Sequence, residues 1–331
     1  MLVNIQNFKE EYEESNIRIK QFSYEILESI PIFKLQCNSL AFDNSSTLII
    51  AGFKHILKIF TFNSEKLALI PFQNIYNSTI TCLEGLKQYN LFFFAFSSGQ
   101  FQLSSNVGLN NGKYIQKLKN HSYPIYYLKQ SNNSESIISC DDWKVSFWIK
   151  RDLWQQIYIY TNNTRICAIS FNEIGDKLIL SDYNKNIFTF IKRGIQWIKL
   201  QSISLGTRGQ GICFIGNQSF IVQPEFKTLY LYKFIDEKQG FIKQRELKIK
   251  TYGNWGSRKF KQTFIQDKKI LINKDETSLN FLQISDQLGV VNEFQIQFYD
   301  SSAQSTLNKN GSYLITWDNY TKCLKMYKYQ N

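Results

Sequence analysis

The chain has 331 residues, of which 43% are hydrophobic and 16% aromatic, and it carries a formal net charge of +12. That composition excludes a disordered chain and indicates a sheet-rich folded protein. No apolar run approaches the roughly 18 residues of a membrane-spanning helix.

The N-terminus lacks the basic start, apolar middle and small-residue cleavage site of a secretion signal, so an intracellular location, cytoplasmic or nuclear, is the expectation. Lys is abundant together with Asn, Ile, Tyr and Phe, so compositional bias accounts for much of the charge. The remainder permits acidic proteins, nucleic acid or acidic membranes as partners.

Residues 1–27 read as an extension, charged at Lys9, Glu10, Glu11, Glu13 and Glu14, with Phe8 and Tyr12 spaced for one face of a short helix. It serves either as an arm on the rim or as a partner-binding helix. A strand-like run, Ile30–Gln36, follows. From there the chain repeats. Strand ends recur at Phe60, Leu103, Trp148, Phe190, Tyr232, Ile284 and Tyr327, with gaps of 43, 45, 42, 42, 52 and 43 residues. The strand ahead of them recurs too, as in Leu48-Ile49-Ile50-Ala51, Leu178-Ile179-Leu180-Ser181 and Tyr313-Leu314-Ile315-Thr316. A period of about 40–45 residues is that of four-stranded blades, each burying its faces against its neighbours. Seven anchors predict seven blades in one domain.

The third repeat, Asn120 to Trp148, has a histidine, an apolar strand, a turn, a second strand, an acidic turn and a third strand ending on tryptophan. It resembles one WD40 repeat, with Asp142-Trp143-Lys144-Val145-Ser146-Phe147-Trp148 in place of that family's D-x-x-V-x-x-W ending. The resemblance implies an all-β, seven-bladed propeller of antiparallel blades over residues 28–331. It places His121, Ser139, Asp142 and Trp148 in a structural hydrogen-bonded tetrad. In the other repeats the carboxylate position, counted from each anchor, holds Lys54, Ser97, Asn184, Phe226, Ser278 and Thr321. The last repeat lacks its outer strand, and WD40 rings close by borrowing one from the N-terminus. Pro31 suits such an edge strand.

The family's usual interaction face carries the turns between second and third strands. Here those turns hold Phe53, Lys54 and His55, then Trp143 and Lys144, Tyr183 and Lys185, Phe226 and Lys227, and Tyr320 and Lys322. Aromatics beside cations are anchors for a protein or an acidic peptide. The same combination can stack bases, which keeps nucleic acid as an alternative. The long gap marks an insertion, residues 236–261, with a net charge of +5, an outer strand near Glu246–Lys250 and a loop bearing Trp255, Arg258 and Lys259. It is either a solvated loop or a second contact for an acidic partner.

No cofactor or metal motif is present. The two histidines, His55 and His121, lie in different repeats, and Gly206-Thr207-Arg208-Gly209-Gln210-Gly211 lacks dinucleotide spacing. The six cysteines form no CxxC pair, and Cys82, Cys167 and Cys213 recur in three repeats as buried thiols. Some propellers bind phosphoinositides through an Arg-Arg-Gly motif, which this chain lacks. The expectation is a non-catalytic scaffold within a multiprotein assembly.

Overall fold

In a computed structural model the described residues are 22–32, 36–63, 65–86, 91–105, 113–131, 135–224, 228–249, 261–275 and 277–331. They form seven four-stranded sheets, all antiparallel, with strands paired in sequence order. The blades span 37–75, 80–119, 127–161, 166–204, 211–248, 263–297 and 304–330. The seventh completes its sheet with Ser23–Pro31, which pairs with Cys323–Gln330 from Ser23↔Gln330 to Pro31↔Cys323. The chain ends are thus zipped together. The closing strand lies ahead of the Ile30–Gln36 run in which it was sought, and Pro31 is its last residue, where the missing N–H interrupts no ladder.

Blades are held face to face by side chains from both partners. Between blades 2 and 3, Phe93, Phe101 and Leu103 meet Leu128, Ile137 and Trp148, with the Phe101 and Trp148 rings edge to face at 5.2 Å. Between blades 7 and 1, Ile315, Trp317 and Met326 meet Ile49, Ala51 and Phe60. Both faces of each blade are therefore buried, and apolar burial of roughly 25 cal/mol per Å2 accumulates around the ring.

One backbone bond recurs and fixes the register. The N–H two residues beyond the anchor bonds the carbonyl just ahead of the second strand, as in Lys150 to Glu135, Lys192 to Asp176 and Phe234 to Gln218. By this bond Phe60, Trp148, Phe190, Tyr232 and Tyr327 are equivalent. Two anchors move. In blade 6, Ile284 N–H bonds Lys269 O, so Leu282, opposite Leu271, holds the place. In blade 2 it is Ser104, opposite Phe92, while Leu103 packs on the other side of the blade.

The six cysteines, all among the described residues, form no disulfide. Cys82, Cys167 and Cys213 are buried on innermost strands of blades 2, 4 and 5.

Candidate functional site

The buried polar network of blade 3 organises its end of the ring. His121 Nδ1 lies 3.0 Å from Asp141 Oδ2, and His121 Nε2 lies 2.7 Å from Ser139 Oγ. Trp148 Nε1–H donates to the same hydroxyl at 2.9 Å. The carboxylate is Asp141, not the expected Asp142. The second strand ends at Cys140, and Asp141 is the residue that turns back, accepting the N–H groups of Trp143 and Lys144 at 2.8 and 2.7 Å. Burial pushes its pKa up, but the His121 bond and the two N–H bonds outweigh this and hold it below the usual value. Asp142 instead meets Arg165, Oδ1 to Nε at 2.8 Å.

Counting from the second strand rather than the anchor, the same place holds Asp182 in blade 4, Asp275 in blade 6 and Asp318 in blade 7, all buried. Their side chains tie down the turn that follows: Asp182 takes Asn186 N–H, Asp275 takes Ser278 N–H and Asp318 takes Tyr320 N–H. The Lys54, Asn184, Ser278 and Thr321 assignments were displaced by unequal turn lengths. Phe53, Phe96 and Pro224 hold the place in blades 1, 2 and 5.

These turns share one face of the ring with the loops that lead from blade to blade, because strands alternate in direction. Trp143 and Tyr183 stand on that face, 40% and 45% exposed. Tyr320 is 71% exposed and stacks at 4.7 Å on Tyr299, itself 70% exposed and unforeseen because it belongs to the loop between blades 6 and 7. Tyr123 and Tyr126, from the loop into blade 3, were missed for the same reason. Lys54, Lys185 and Lys322 each take a left-handed conformation within their turns, φ 51°, 68° and 53°. Lys322 Nζ donates to Asn319 Oδ1 at 2.5 Å.

Two candidates are turned inward. Phe53 is fully buried, its ring edge to face with Trp317 at 5.2 Å, because it ends a strand packed against blade 7. Lys144 Nζ donates to the Asn120 carbonyl. Phe226, Lys227, Trp255, Arg258 and Lys259 lie outside the described residues, as do residues 1–21. The outer strand of blade 5 runs Gly240–Lys248, longer than the Glu246–Lys250 segment expected.

Sequence reading also missed a link between distant blades. Lys261, leading into blade 6, donates to Leu128 O in blade 3 at 2.9 Å and meets Glu84 of blade 2 at 3.3 Å. Lys129 approaches the other oxygen of Glu84 at 3.7 Å. Burial lowers the Lys261 pKa, but Cys82 and Glu84 more than offset this, so the ammonium is retained. Replacing Glu84 with Gln leaves two ammonium groups facing no carboxylate at this point. The expected loss is on the order of 1–3 kcal/mol, measured by urea unfolding and reduced by salt, because the groups are partly solvated. An unchanged midpoint would show that the link carries no stability.

The seam between blades 5 and 6 has a different character. Thr263↔Ile272 pairing sets Gln262 opposite Asn273, the places of Leu128 and Ser139 in blade 3. Asn273 is 0% and Gln262 9% exposed, and neither side-chain amide has a hydrogen-bond partner. Leu282 stands where Trp148 donates in blade 3.

The architecture and its buried turn carboxylates define a seven-bladed β-propeller, a fold commonly used as a scaffold for protein interactions. No protein-family model matches the chain, and no curated protein matches its sequence. Among the described residues no helix is long and apolar enough to cross a membrane.

Proposed function

We propose that this chain is a non-catalytic scaffold of the WD40 type, working inside cells as part of a multiprotein assembly. The WD40 assignment is supported by the His121–Ser139–Asp141–Trp148 network and by the equivalent carboxylates of blades 4, 6 and 7. One observation carries the functional reading. Of the seven exposed aromatic side chains among the described residues, six lie on the turn face: Tyr123, Tyr126, Trp143, Tyr183, Tyr299 and Tyr320. Only Tyr114 lies elsewhere, and the opposite face exposes aliphatic Leu153, Ile174 and Ile195. Exposed rings gathered on one side of a rigid ring are anchors for a protein surface. A second reading, single-stranded nucleic acid, draws on the Arg208 guanidinium 3.7 Å above the Tyr183 ring, an arrangement that also suits a base.

Affinity purification from the native cell at low and high salt separates the two. Wild type is compared with Trp143→Ala/Tyr183→Ala and, on the opposite face, Ile174→Ala/Ile195→Ala. The expected result is a salt-tolerant set of proteins lost only with the first pair. RNA recovered at low salt and released at high salt would instead make nucleic acid the partner. Retention of every protein by the first pair would remove the turn face from consideration.

A further inference from the structure

We infer that the turn face of blades 3 and 4 binds an extended, acidic peptide segment bearing apolar side chains. This rests on the platform reading and names the chemistry of what the platform takes.

The first observation is continuity. Backbone bonds join each turn to the next loop: Asn162 N–H to Trp143 O, Tyr183 N–H to Arg165 O and Leu205 N–H to Lys185 O, each 2.8 Å. Side chains join them again, through Arg165 to Asp142 at 2.8 Å and Arg208 over Tyr183 at 3.7 Å. Trp143, Arg165, Tyr183 and Arg208 therefore form one ridge, in which rings and guanidinium groups alternate along the direction of the chain. An extended peptide also alternates its side chains, and so can present carboxylates and apolar groups to such a ridge in turn.

The second observation is the direction of the charges. Arg165, Lys185 and Arg208 belong to this ridge, and among the described residues Asp142, its side chain 13% exposed, is the one carboxylate that meets them from above the turn. The other two acidic groups point inward. Asp141 is bound to His121 and to the N–H groups of its own turn. Asp182 accepts from Asn162, Thr164 and Asn186. The fold thus consumes two acids beneath the surface and pairs the third with Arg165 through both oxygens, so that cations outnumber carboxylates among the described residues of the ridge. Guanidinium groups favour carboxylates through paired, charge-assisted hydrogen bonds, and the chain's +12 charge attracts the same partner from a distance.

Selection from a random library of displayed peptides of about twelve residues tests this without a known partner. The purified full chain is the bait, and a twelve-nucleotide single-stranded RNA is offered as competitor. The expected result is enrichment of Asp and Glu interspersed with aromatic or aliphatic residues. Selected peptides should bind at least tenfold more weakly to Lys185→Glu/Arg208→Glu and to Trp143→Ser, and equally well to the opposite-face variant Lys238→Glu/Lys269→Glu. Far-UV circular dichroism and melting verify that each variant is folded. Enrichment without an acidic excess, absence of enrichment, or binding that survives both ridge variants each overturns the inference. Displacement of selected peptides by the RNA overturns it in favour of nucleic acid. None of these outcomes restores protein partners lost on substituting Trp143 and Tyr183, so a failed peptide chemistry remains distinguishable from a failed platform.

Discussion

Replacing Asp141 with alanine is expected to lower the unfolding free energy by about 3–5 kcal/mol at neutral pH, whereas Asp142→Ala should cost less than about 1 kcal/mol. The two residues are adjacent in sequence and opposite in situation. Asp141 is buried beneath the turn with His121, while Asp142, with a side chain 13% exposed, pairs with Arg165, whose side chain at 46% exposed keeps much of its hydration. Losing the first carboxylate leaves the imidazole and two turn N–H groups without their acceptor, away from water that might replace it. The effect should depend on acid in a defined direction. The folded protein holds Asp141 below the ordinary carboxylate value of 3.8, so its stabilising contribution is complete above that pH and disappears as pH falls through the folded-state value. The gap between wild type and Asp141→Ala should therefore be widest well above the ordinary carboxylate value and narrow as pH falls through the folded-state value. Urea titrations at several pH values measure it. A gap that persists unchanged at low pH would show that the carboxylate charge is not what stabilises the turn, and equal effects at the two positions would return Asp142 to the network.

Why sequence reading chose Asp142 is a matter of turn geometry. Spacing from Trp148 counts across the turn, and turns of different length move the count. The second strand has no such freedom, because its register is fixed by ladder bonds, and counting along it finds Asp182, Asp275 and Asp318 as well. The period itself was legible because seven blades of similar size must repeat their buried second and third strands. The register within a blade was harder to read. Leu91–Phe96 is apolar at every residue because blade 2 is covered on both faces, so alternation cannot tell Leu103 from Ser104. The same double burial hid the fate of Phe53. Trp143, Tyr183 and Tyr320 were legible as surface rings because each lies within two residues of a buried turn carboxylate. Tyr299, Tyr123 and Tyr126 come from loops whose lengths follow no repeat. The meeting of Lys261 with Glu84 joins residues 177 positions apart, and no periodicity predicts a contact between non-adjacent blades.

Gln262→Leu combined with Asn273→Leu should make the protein more stable, not less. Both residues lie at the blade 5–6 seam, and four side-chain polar atoms there have no hydrogen-bond partner. Each such atom gives up hydration on folding without recovering a bond, a cost of about 1–3 kcal/mol. The chain itself supplies the apolar solution, since equivalent places hold Leu128 in blade 3 and Leu180 in blade 4, both fully buried. Leucine shares the branched shape of asparagine and is near glutamine in size, so removal of the polar atoms opens no cavity. The expected gain is about 2–4 kcal/mol for the pair, with the melting midpoint rising by about 2 °C for each. Asn280→Leu is the contrasting case. Its amide donates to Asp275 Oδ2 at 3.1 Å, and burial already holds that carboxyl above its ordinary pKa. Removing the donor should destabilise the fold and raise that pKa further. Because a raised folded-state pKa disfavours the ionised form, the loss should grow as pH rises through the carboxylate range and then level off. Thermal melting of wild type and these two variants at pH 4 and pH 7 decides the matter. A double leucine variant that melts below wild type would mean that the seam amides are bonded in the folded protein, and the account of this seam as a local weakness would fall.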